Sequence, residues 1–362
     1  MVKLQSHTVE EEAAMNHKPS DSPSEAAAAF TGDPAELIPI PMESLRIDTV
    51  TEFDLMLKAP GSGKFVLYRR GDLVFSEEHK EKLQQSNVSA VYISTKDRPR
   101  YLRYLERNLG EIIDDPRLGP VEKARIVYEC SGHVAQEIMD SPWVAESLRR
   151  ANGIVGTTVT HLLRSPANAG RMIEMMASDY QLYSHSVNVC VYGVTLGQGI
   201  GLSVWELREL GAGLLLHDLG KTELDPKLVK KTEPLTADEQ RIMRRHPELG
   251  VAKLKQLPGV KENALKVVGE HHERLTGHGF PKGLKGEEIH LFARIGFLAN
   301  AFDRMTTDRR AGGPLTSYSA LRAIQEALGE EVEPPLLRHF VTLLGKRSDG
   351  DVAQGGEDAA AA

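Results

Sequence analysis

Apolar positions follow two rhythms along this chain. From Leu37 to about Thr95 they fall in short runs. Phe53-Asp54-Leu55-Met56-Leu57 and Lys64-Phe65-Val66-Leu67-Tyr68 flank Pro60-Gly61-Ser62-Gly63, which predicts a β-hairpin, and Val88–Ile93 predicts a further strand. Arg70-Gly71-Asp72 reads as a turn and Glu77–Gln85 as a helix. Beyond Pro99 the spacing changes. Tyr101, Leu102, Tyr104, Leu105 and Leu109 recur at helical intervals, as do Val121, Ile126, Val127 and Val134, and from Val144 to Leu344 the pattern is almost continuously helical. No internal repeat is present. The predicted fold is mainly α: a helical bundle preceded by a small α+β module.

The predicted organisation is a disordered leader at 1–36, the α+β module at 37–99, a helical connector at 100–150, the helical domain at 151–346 and a disordered tail at 347–362. The leader is rich in Ser, Pro, Glu and Ala, and the tail in Gly, Asp and Ala; neither shows apolar periodicity.

Hydrophobic residues make up 41% of the 362, enough for a sizeable core. Against 51 acidic residues stand 44 Lys and Arg, a net charge of −7 that argues against duplex nucleic acid or an anionic membrane as partner. Met1-Val2-Lys3-Leu4 turns polar at once, without a signal-peptide core. The longest apolar run, around Leu210–Leu216, falls far short of the ~20 residues that span a bilayer. The two cysteines, Cys130 and Cys190, are too few and too far apart for a zinc cluster or a disulfide scaffold, and suit a reducing, cytoplasmic setting.

The histidines carry the chemistry. There are 13, and most lack distinctive context. Five fall in successive helical segments: His185 in Ser184-His185-Ser186-Val187-Asn188, His217 in Leu214-Leu215-Leu216-His217-Asp218-Leu219-Gly220-Lys221, His246 in Arg245-His246-Pro247-Glu248, and His271 and His272 in Glu270-His271-His272-Glu273-Arg274. A lone helical histidine is more often a hydrogen-bonded core residue, and a His pair on a polar helix more often surface. His217-Asp218 is different, because three leucines bury the helix that ends there, and an ionisable pair is unfavourable in such a place unless paired or metal-bound. Imidazoles with one carboxylate favour Fe, Mn, Zn or Ni over Ca or Mg. Five imidazoles and one carboxylate able to bridge, Asp218, exceed the needs of one ion and point to two, held ~3.5–4 Å apart, as in phosphate-ester cleavage.

These elements, with Gly277-His278-Gly279-Phe280-Pro281-Lys282-Gly283 and Ala301-Phe302-Asp303-Arg304-Met305-Thr306-Thr307-Asp308-Arg309, resemble the HD-GYP domains, a branch of the HD metal-dependent phosphohydrolases. The resemblance runs from about Ile154 to Leu344. It implies an HD-type helical bundle holding two divalent transition metals, iron or manganese ahead of zinc or nickel, and hydrolysis of a cyclic dinucleotide such as cyclic di-GMP to the linear dinucleotide or GMP. It implies His185, His217, Asp218, His246, His271, His272 and Asn300 as metal ligands, and Asp218 and Lys221 as catalytic residues. Lys221, Gly279, Phe280, Pro281, Asp303 and Arg309 would meet substrate. In the loop, Gly277, Gly279 and Gly283 let the backbone approach a ligand, and Pro281 stiffens it.

The sequence departs from the family at four places. Phe280 replaces the signature tyrosine and loses its hydroxyl. Asn300 stands where a ligating Asp is usual, and Asp303, one turn on, is a potential substitute. Gln181 replaces a Glu found in three-metal members. Arg310-Ala311-Gly312-Gly313 replaces the usual Pro-Tyr-basic stretch. Two alternatives therefore stand beside the main reading: a receptor that binds the nucleotide without cleaving it, and a hydrolase of cyclic GMP-AMP. By position alone, the front module is assigned a regulatory or dimerising role, with a second copy or a signalling protein as partner.

Overall fold

The computed structural model describes residues 33–59, 64–86, 88, 90–142, 144–178, 184–307 and 313–345. Most of the expected leader, the whole tail, the hairpin turn at 60–63, Gln181 and Arg309 lie outside the described residues.

The front module contains β1 (Leu37–Pro41), β2 (Thr49–Val50), β3 (Leu55–Lys58), β4 (Phe65–Arg69), β5 (Val74–Phe75), α1 (Glu77–Gln85) and β6 (Ala90–Ser94). Four strands form an antiparallel sheet in the order β1-β6-β3-β4, and β2 pairs with β5 as a separate two-stranded ribbon. β1 carries Pro39 and Pro41, which lack a backbone donor; it lies at an edge, where a missing N–H leaves no central ladder bond unmade. Ile40, Leu55, Val91 and Ile93 turn inward and are buried.

The helical part comprises α2 (Arg98–Asp114), α3 (Pro120–Asp140), α4 (Ala145–Arg164), α5 (Pro166–Ser178), α6 (Ser184–Gly199), α7 (Val204–Leu216), α8 (Pro226–Val229), α9 (Ala237–Met243), α10 (His246–Leu254), α11 (Glu262–Glu270), α12 (Leu291–Thr307), α13 (Ser317–Leu328) and α14 (Pro334–Gly345). The front module is keyed to α2 by aromatic edges and a buried ion pair. Phe53 meets Tyr101 and Tyr104 edge-on at 5.6 and 5.7 Å, and Arg46 pairs with Asp115 at 3.1 Å.

The expected 150/151 boundary falls inside α4. Helices α3 and α4 pack on α6 and α7, so residues 100–150 share the helical core rather than merely leading to it. Helix α7 is central, touching α4, α6 and α11. Its start is fixed by a capping box in which Ser203 and Glu206 satisfy each other's backbone N–H groups. Tyr192, Phe302 and Phe340 form a triangle of edge-on rings 5.0–6.0 Å apart, which fixes α12 against α6 and α14. Among the described residues no helix is long and apolar enough to cross a membrane.

Candidate metal centre

The expected ligands converge, and most of them stand at helix ends. His217 caps the C-terminus of α7, with Asp218 next to it; His246 opens α10; His271 caps α11, with His272 following; His185 is in the first turn of α6. The C-terminal ends of α7 and α11, with their partial negative charge, thus point at one spot, a field that favours cations.

The hydrogen bonds decide which ring nitrogen each imidazole offers. A carbonyl oxygen only accepts, so Nδ1 of His217 donates to Leu214 (2.6 Å), Nδ1 of His246 to Met243 (2.8 Å) and Nδ1 of His271 to Val268 (3.0 Å). Nδ1 of His185 donates to Oδ2 of Asp303 at 2.6 Å. In its neutral form each of these rings therefore presents the bare Nε2 lone pair inward, the tautomer a metal requires. The four Nε2 atoms lie 3.3–3.9 Å from the Asp218 carboxylate. His246 and His271 approach each other Nε2 to Nε2 at 3.3 Å.

Acceptors outnumber donors here. His217 Nε2, Asp218 Oδ1 and Asn300 Oδ1 are buried with no hydrogen-bond partner. Lone pairs massed in this way repel, and a divalent cation with nitrogen and oxygen preference would satisfy them all at once. Two donor groups share Asp218: His185 with His217, and His246 with His271 and His272. The donor set fits a divalent metal centre.

Burial governs protonation here. It pushes the His217 imidazole down to about 4 and those of His271 and His272 well below the ordinary range. For Asp218 burial works upward, but the Lys221 ammonium beside it outweighs that and holds the carboxyl well below the usual range. Lys221 Nζ donates to Asp218 Oδ2 at 2.5 Å. These three rings thus stay neutral and the carboxylate charged, as ligation requires.

A stability prediction follows. The unfolded chain takes a proton on His217 near pH 6.5, whereas the folded chain resists until about pH 4. Stability of the metal-free protein is therefore highest above pH 6.5 and falls by about 3 kcal/mol between pH 6.5 and 4 from this ring alone. His271 and His272 add in the same direction, and Asp218 acts only below its unfolded value near 4. Urea midpoints measured at pH 7 and pH 5 check this, and equal midpoints would contradict it.

Asp303, expected at the substrate surface or as a replacement ligand, is placed elsewhere. It is fully buried, with Oδ2 on His185 and Oδ1 accepting from Asn188 Nδ2 at 2.8 Å. Tyr128 of α3 in turn donates its hydroxyl to Asn188 at 3.0 Å. Tyr128, Asn188 and Asp303 form a relay that orients His185, a supporting role of the kind that holds metal-binding imidazoles. Asn188 was within reach of sequence reasoning, because it lies three residues after His185 on the same helix. Tyr128 gave no signal.

A cavity of about 410 Å³ opens beside the cluster, with Lys221, His246, His272, Phe280 and Asn300 in its wall. Phe280 stacks on His272 with ring centres 4.4 Å apart, and the Arg244 guanidinium lies 5.3 Å from the phenyl centre. The missing tyrosine hydroxyl leaves this wall apolar. Gly279 and Pro281, expected to meet substrate, are not among the residues facing the cavity. Gly279 instead allows the loop to lie on the preceding backbone, since a Cβ there would come within 2.5 Å of Arg274 N. Glu273, which sequence reasoning passed over, ties the loop down: its buried carboxylate accepts from Lys282 N (2.7 Å) and Leu284 N (3.0 Å).

Comparison with known proteins agrees with this geometry. The HD domain family model matches residues 171–336. A cyclic di-GMP phosphodiesterase from Pseudomonas aeruginosa is 33% identical over 195 residues, 54% of this chain and 47% of that protein. A 3'3'-cGAMP-specific phosphodiesterase from Vibrio cholerae is 31% identical over 264 residues, 72% of this chain and 52% of that one. The chain thus spans about half the length of these relatives. Among solved structures, an HDG"Y"P protein from Bdellovibrio bacteriovorus matches with a TM-score of 0.59 at 22% identity, over 85% of this chain and 99% of that one, a likeness of fold. The clustered histidines and aspartate all lie on the segment, residues 171–336, that matches the HD domain family.

Proposed function

We propose that the chain hydrolyses a cyclic dinucleotide, with cyclic di-GMP as the favoured substrate and linear pGpG, then GMP, as products. The observation that carries this reading is the inward-facing set of Nε2 lone pairs around Asp218, opening onto a cavity walled by cations and an aromatic ring. The similarity to phosphodiesterases of cyclic di-GMP and of cyclic GMP-AMP supports the substrate class.

Two bound divalent ions, iron or manganese, would stabilise both the attacking and the leaving oxygen of an in-line displacement at phosphorus. His185, His217, His246, His271, His272 and Asp218 would hold them, and Asn300 would add its neutral carbonyl oxygen. The protein's own part is positional. Lys221 gives one of its three hydrogens to Asp218 and has two left for a phosphoryl oxygen. Phe280, held by His272 and Arg244, offers an apolar wall for a nucleobase. The Tyr128–Asn188–Asp303 relay keeps His185 aimed at Asp218.

The test is turnover by anaerobically purified protein loaded with Fe(II) or Mn(II), with cyclic di-GMP and 3'3'-cyclic GMP-AMP compared side by side. Release of linear dinucleotide from cyclic di-GMP is expected. Release only from cyclic GMP-AMP would reassign the substrate. Tight binding of either nucleotide with no product would make the chain a receptor, a reading in line with the uncharged Asn300.

A further inference from the structure

One cation in the cavity wall is not used by the chemistry described above. Helix α12 turns one face to the cavity through Phe297, Asn300, Ala301 and Arg304, at the i, i+3, i+4, i+7 spacing of a single stripe. Asn300 marks the position beside the ligands. Arg304 stands four residues further, ~6 Å along the helix axis.

The other cavity cations are engaged. Lys221 is on Asp218 at 2.5 Å, Lys231 is on Glu239 at 2.7 Å, and Arg274 lies 3.8 Å from Glu331 with its guanidinium over Phe297. Arg304 is exposed to the cavity and forms no ion pair or hydrogen bond among the described residues. Its neighbour Asp303 cannot serve as partner, because both carboxylate oxygens are taken in the buried relay. A guanidinium on a cavity wall with no partner among the described residues suits an oxyanion of the ligand.

We propose that Arg304 binds the second, non-scissile phosphodiester of the cyclic dinucleotide. The inference rests on the hydrolase reading above. A macrocycle with two phosphodiesters that presents one to the Asp218–Lys221 end of the cavity carries its other anion away from that end, and among the described residues Arg304 is the free cation displaced in that sense along α12. A substrate with a single diester has no group for it.

The experiment compares wild type, Arg304→Ala and Arg304→Lys on cyclic di-GMP, cyclic di-AMP and bis(p-nitrophenyl) phosphate, with metal content and melting temperature as controls on folding. Arg304→Ala is expected to raise KM for both cyclic dinucleotides by roughly tenfold or more. Its kcat and its activity on the single diester stay at the wild-type level, the split expected when binding shared by ground and transition states is removed. Arg304→Lys restores part of the loss because it restores the charge. An unchanged KM overturns the proposal, as does an equal loss on the single diester. A loss confined to cyclic di-GMP, with cyclic di-AMP unaffected, also overturns it and assigns Arg304 to a guanine edge. If wild type releases no product, the hydrolase reading fails, and Arg304 is then judged by equilibrium binding of cyclic di-GMP, where a Kd unchanged in Arg304→Ala refutes its role.

Discussion

Asp218→Asn is expected to lower cyclic di-GMP turnover by on the order of 10³-fold or more and to release the bound metal, with the fold retained. Asparagine keeps the shape of aspartate and removes only the charge, so the variant isolates the electrostatic part. That charge is central to both donor groups: four imidazole Nε2 atoms lie 3.3–3.9 Å from its oxygens, and Lys221 is held at 2.5 Å. Without it, two ions would share one cavity of neutral nitrogens beside an unpaired ammonium, and their mutual repulsion would go uncompensated. Circular dichroism, metal analysis and product release on the same preparation read all three consequences. A variant that keeps its metal and more than a tenth of the activity would show that Asp218 is not the shared ligand.

Gly220→Ala is expected to destabilise the chain by about 3 kcal/mol or more and to weaken metal retention, although residue 220 is no ligand. Gly220 lies in the 3-10 turn Leu219–Glu223 that follows Asp218, packed directly on α10. A Cβ there would fall 1.9 Å from the carbonyl oxygen of His246 and 2.6 Å from the backbone nitrogen of Gly250. Both are backbone atoms, so no side chain can swing away, and α10 must shift as a unit. That shift carries His246, the first residue of α10, away from Asp218, from which its Nε2 now stands 3.3 Å. Urea midpoints and metal content of the variant measure both effects together. A midpoint within about 0.5 kcal/mol of wild type would mean that the turn and α10 have room the structure does not show.

The two rhythms of apolar residues were enough to predict the helical half and three of the six described strands, β3, β4 and β6, because burial of one face leaves a period that survives in the sequence. Helix α1 lies where Glu77–Gln85 predicted it, flanked by a serine cap. The ribbon of β2 and β5 was not resolved as strands, since two residues are too few to show alternation. β1 was read only as part of a β-like stretch; its two prolines argue against a central strand, and only the sheet order reveals the edge.

At the site, the clustered histidines were legible through His217-Asp218 at the end of a leucine-rich helix and through the order of the others. The supporting residues were not. Tyr128 sits 57 positions before His185 and becomes relevant only when α3 packs on α6. Asp303 shows the limit of helical-wheel reasoning. Three residues are 60° short of a full turn, enough for Asn300 to face the cavity while Asp303 faces α6.

The central claim is that the bare Nε2 lone pairs gathered around Asp218 are there to hold metal ions. Metal analysis of anaerobically purified wild type tests it most directly. The account predicts about two iron or manganese ions per chain, resistant to gel filtration. Protein that is folded and yet retains no transition metal, after growth and purification with both supplied, would contradict it.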